Sequence, residues 1–170
     1  MPRVRRLVLV ALVAGFSADA AFACTLETSA IHSYLDLRSP KIAKVVSTRR
    51  PDARKLEQTV KLASGTTVTF SVYGCEHFGY SFAFRPVPGV TSSIPLAELA
   101  RIAREQLSSV PMREVNGVRL GDTAADLSEE AIAGATDMGG GSYAIPAGDA
   151  HYELSVPEPG VLEIAYDFAL

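Results

Sequence analysis

The chain has no tryptophan, only three histidines and two cysteines, and no long apolar run beyond its extreme N-terminus. A bilayer span needs roughly 20 consecutive apolar residues, so nothing in the body of the chain is expected to cross a membrane as a helix. A Gly-x-Ser-x-Gly elbow, HExxH, CxxC and a Walker loop are all missing, and the glycines before Ser142 lack the lysine of a phosphate cradle. His32, His77 and His151 are too far apart for a local metal motif. Glu129 and Glu130 are consecutive and point apart on a helix, so they form no acid–base dyad. No metal, no cofactor and no catalytic residue is therefore assigned, and catalysis is not the expected role.

What is present describes one ordinary globular domain: 170 residues, 48% hydrophobic and 21% charged, a balance that excludes disorder, collagen and coiled coil. Arg3, Arg5 and Arg6, the apolar stretch Leu7–Phe16 and the small-x-small triplet Ala21, Phe22, Ala23 read in order as a secretory signal peptide over residues 1–23. Its removal takes three arginines and one aspartate, leaving 147 residues at a net charge of −5 that begin with Cys24. In an oxidising periplasm or exterior Cys24 is expected to pair with Cys75, a constraint contributing on the order of 4 kcal/mol. The alternative is acylation of Cys24, which would anchor the protein as a lipoprotein; Ala21 and Phe22 fit that pattern poorly.

Periodicity then orders the rest. Ile31, Tyr34 and Leu35 predict a short helix over 28–37. Leu56, Val60 and Leu62, then Val68, Phe70 and Val72 after the turn at Ser64 and Gly65, predict a hairpin, and Tyr80, Phe82 and Phe84 a third strand. Pro95 opens a helix to about Ser109; Asp126 and Glu129 suggest a capped second helix. Gly139–Ser142 reads as a flexible connection before a last hairpin carrying Tyr152, Leu154 and Val156, then Leu162, Ile164, Tyr166 and Phe168. The expected class is α+β: antiparallel sheet or sheets built from hairpins and a meander, with two or three helices packed on one side. Residues 24–170 form a single domain in this reading, with a weak internal echo between about 40–110 and 111–170, and an edge strand near Leu170 that could pair two chains.

Two features point to function. Between Arg38 and Lys61 lie eight bases, whereas from Gly121 to Leu170 there are ten acids and no lysine or arginine. Such an acidic half can steer and hold a cationic partner, unless the two halves neutralise each other on folding. The stretch Gly74–Gly79 packs Cys75, Glu76, His77 and Phe78 between glycines and reads as a disulfide-tethered loop able to present side chains. Glu76, His77, Phe78, Asp149 and Glu153 are the candidate binding residues. The basic stretch has no interleaved aromatics and suggests no nucleic-acid site.

The phrase Val118–Leu127 resembles the entry to a helix in small secreted α+β modules such as β-lactamase inhibitor proteins and envelope assembly lipoproteins. It covers ten residues and implies no residue roles. The resulting expectation is a periplasmic or secreted protein-binding module, of inhibitor or immunity type, acting on a basic secreted enzyme. An envelope accessory protein and an envelope hydrolase without a linear motif are the alternatives.

Overall fold

Alternating β-branched and aromatic residues favour strands because each strand then offers one apolar face to a core. The computed structural model describes residues 32–52, 54–74, 77–115, 120, 126–148 and 150–169. In it, β1 (Ile42–Asp52), β2 (Lys55–Leu62), β3 (Thr67–Gly74) and β4 (His77–Arg85) form one meander. A second comprises β5 (Thr136–Gly139), β6 (Ser142–Ala147), β7 (Ala150–Ser155) and β8 (Leu162–Ala169). They join through their last strands into one eight-stranded antiparallel sheet, in the order β1-β2-β3-β4-β8-β7-β6-β5. Two helices are described between the meanders, α1 (Leu96–Ser109) and α2 (Glu129–Ala133), so the domain is mostly sheet.

The core is the set that period two predicts. Phe70, Phe82 and Phe84 are at most 2% exposed, with ring centroids 5.0 Å apart for Phe70 and Phe82 and 6.1 Å for Phe82 and Phe84. Val60, Val68, Leu154, Leu162 and Ile164 join them, and α1 adds Leu99, Ile102, Ala103 and Leu107. Each valine, leucine, isoleucine or phenylalanine among them contributes about 1.5–3 kcal/mol when fully buried. α2 buries none of its residues.

Several expectations change. Residues 32–37, the described part of the predicted first helix, are not helical: Leu35 bridges Met112, Asp36 N–H donates to the Pro111 carbonyl and Arg113 N–H to that of Tyr34, both at 2.8 Å. Tertiary pairing overrides a short local preference there. β1 is a strand without a strand pattern, because three register shifts break its alternation against β2. The cap of α2 is Ser128, whose hydroxyl accepts from Ala131 N–H at 3.2 Å, and not Asp126. Gly139, Gly140 and Gly141 are the turn joining β5 to β6 rather than a flexible connection. Their φ values of +84°, +65° and +84° favour glycine at each position. β8, the strand expected to be an edge, is central, between β4 and β7; the edges among the described strands are β1 and β5. β1 guards its own edge with bulges, Lys44, Arg49 and Pro51.

Candidate functional site

Because side chains alternate and cross-strand partners share a side, the register defines the face opposite the core. One row runs Arg49, Glu57, Ser71, Ser81, Ala165, Glu153, Ala144 across β1-β2-β3-β4-β8-β7-β6. The next runs Ser47, Thr59, Thr69, Ala83, Glu163, Ser155, Ser142. The middle of this outer face is floored by serine, threonine and alanine, leaving a shallow depression of about 450 Å³ walled by Glu153 and Glu163, with Arg85 at one end. Exposed Glu153 accepts a hydrogen bond from the Ser142 hydroxyl at 2.8 Å, which orients one wall. Arg85 pairs with Glu158 at 3.4 Å.

The charge asymmetry of the chain becomes a property of this one face. Lys44, Arg49, Lys55 and Lys61 stand on the β1–β2 flank, with Glu57 as the acid among the described side chains. Glu153, Glu163 and Asp167 stand on the β7–β8 flank. From β2 to β8 is three strand spacings, about 14 Å, longer than the ~8 Å screening length at physiological salt. The flanks therefore do not neutralise each other, and no described ion pair joins them.

A third row on the same face runs Lys55, Tyr73, Gly79, Asp167 and His151. Tyr73 lies across Gly79, where a Cβ would sit 2.5 Å from its ring and hydroxyl. Burial first, and then the Asp167 carboxylate, push the Tyr73 phenol above its ordinary pKa. Asp167 Oδ1 is buried with no hydrogen-bond partner among the described residues.

On the core face of the same strands, Tyr80, Tyr166 and Tyr152 form a ladder across β4, β8 and β7. The Tyr152 hydroxyl donates to Asp126 Oδ2 at 2.6 Å, so the Tyr80 hydroxyl, 3.4 Å away, is left to donate to the Tyr152 oxygen. Burial above all, then the Tyr80 and Asp126 interactions, hold the Tyr152 phenol far above its ordinary pKa. As a neutral donor at ordinary pH it ties residue 126 to the sheet.

Of the sequence candidates, Glu153 lies on the outer face. His77 is the first residue of β4 and Phe78 the second, so the stretch read as a presenting loop between Gly74 and Gly79 is strand from His77 onward; half-buried Phe78 packs against the core. The side chain of His77, together with Glu76, Asp149, Cys24, Cys75, the segment 1–23 expected to be a signal peptide and most of Val118–Leu127, lies outside the described residues. Sequence reasoning missed Ser71, Ser81, Ala165, Glu163, Tyr73 and Asp167. Their signal was available: they occupy the positions that alternate with the buried set.

Among the described residues no three His, Cys, Asp or Glu side chains cluster as metal ligands, and no helix is long and apolar enough to cross a membrane. No protein-family model matches the chain, and neither a curated protein nor a solved structure does.

Proposed function

We propose that this chain is an exported, non-catalytic protein-binding module of inhibitor or immunity type that holds a basic secreted or envelope protein on the outer face of its sheet. The observation carrying this reading is the depression of about 450 Å³, floored by small residues and walled by Glu153 and Glu163. A sheet face left to water usually carries long polar side chains; a floor of serine, threonine and alanine instead leaves room for a protruding element of a partner. Carboxylates at its wall favour a cation there and accelerate encounter.

The test compares the wild type with the double variant Glu153→Lys, Glu163→Lys, each immobilised and exposed to envelope and secreted proteins of its own cells. The wild type is expected to retain a basic protein at low ionic strength and release it at high salt, and the double variant not to retain it. Equal retention by both removes the outer face as the site. Intact mass and non-reducing peptide mapping separate the inhibitor reading from the accessory one: a mature chain starting at Cys24 and bridged to Cys75, with a basic protein retained, supports the first, and an acylated Cys24 with none retained replaces it with a membrane-anchored accessory protein, exported in either case.

A further inference from the structure

The acidic wall explains half of the outer face, and the basic flank remains. Lys44, Arg49 and Lys61 are exposed. Lys55 has Glu57 at 4.0 Å, with both side chains partly exposed, a contact of little energetic weight. Between the flanks, Ser71, Ser81, Ala83 and Ala165 carry no charge, and Arg85 at one end of the depression is paired with Glu158, so the face is a dipole laid across the strands rather than an acidic patch. A purely cationic partner wide enough to cover the depression would bring like charge over Lys55 and Lys61, which is unfavourable and selects against it.

We infer that the partner's footprint is itself dipolar. Its cationic end lies over β7 and β8, its anionic end over β1 and β2, and a neutral element about three strand spacings long lies in the depression between them. The inference rests on the outer face being the binding face. It adds an orientation, since a partner turned end for end meets like charge at both flanks, and it gives the basic flank a role in specificity.

Two synthetic peptides serve as probes against the full mature chain at low ionic strength. One carries a lysine triplet and a glutamate triplet separated by about five neutral residues, roughly 16 Å when extended. The other carries lysine triplets at both ends. The two-signed peptide is expected to bind about tenfold more tightly than the all-lysine one, each exposed charge pair adding a small increment. The variant Lys55→Glu, Lys61→Glu is expected to weaken the two-signed peptide and strengthen the all-lysine one. Glu153→Lys with Glu163→Lys is expected to weaken both. Unchanged urea midpoints establish that the variants fold. If the all-lysine peptide binds as tightly as the two-signed one, or the lysine variant strengthens both, the dipolar footprint is overturned while the cationic-partner reading stands. If neither peptide binds, or the glutamate variant changes nothing, both readings fall.

Discussion

The central strands β4 and β8 have two faces that differ by a single step along the chain. Tyr80, Phe82 and Phe84 face the core opposite Tyr166, Ile164 and Leu162, while Gly79, Ser81 and Ala83 face outward opposite Asp167, Ala165 and Glu163. Large rings fill one side and leave no room; small side chains on the other leave a depression. Stability therefore resides on the first face, and the second can vary its chemistry at little cost to folding. The candidate site occupies the tolerant face of the least tolerant strands, which makes its floor rigid.

The strongest challenge to this contrast is a neighbouring pair of substitutions. Phe82→Ala removes a ring that contacts Phe70, Tyr80 and Phe84 and is expected to lose about 3–5 kcal/mol in urea unfolding, whereas Ser81→Ala is expected to stay within about 0.5 kcal/mol. Similar losses for both would erase the distinction between the faces. A middle case is Gly79→Ala, an outer position on β4 covered by a neighbouring side chain: its Cβ must displace the Tyr73 ring. The expected loss is about 1–3 kcal/mol, with a changed Tyr73 ring environment by NMR; a neutral result would mean that Tyr73 does not lie over the strand.

A smaller loss than either the Phe82 or the Gly79 substitution comes from the ladder. Tyr152→Phe deletes the donor to Asp126 and is expected to lose about 1 kcal/mol at neutral pH, moderated because Asp126 stays exposed to water. Unfolded, Tyr152 ionises near its ordinary value of 10.0, while the folded chain keeps it protonated well beyond that. Above about pH 10 the folded state therefore binds more protons than the unfolded one, so stability is level below that pH and falls as pH rises through it. Urea midpoints for wild type and variant should fall at different rates in alkali, with the Phe variant the shallower. Parallel curves would mean that Tyr152 does not carry the effect.

Legibility followed locality. The hairpin from Leu56 to Val72, the strand at Tyr80–Phe84 and the α1 helix were readable because each pattern lies within a dozen or so residues. β1 was not, since Val45 and Val46 are adjacent across bulges and 42% and 53% exposed. β5 is too short, at four residues, to show a period. The charge of Glu153 marks it in the sequence; alternation puts Ser71, Ser81 and Ala165 on the face away from the core, but small uncharged side chains do not signal a site until the strands bring them together.

Period-two alternation, read along the chain, already says which side chains are buried and that bases and acids occupy different halves. Turn signals add the neighbours within each hairpin, but nothing local says which strands join the two meanders, because that pairing is between residues far apart in the chain and any apolar face satisfies any other. Placing β4 beside β8 joined the two meanders into one sheet. That pairing moved the presumed terminal edge to the centre and set the two flanks on one face, about 14 Å apart across a neutral floor. At that separation water and salt screen the charges from each other, so the opposite signs persist as a feature a partner can read.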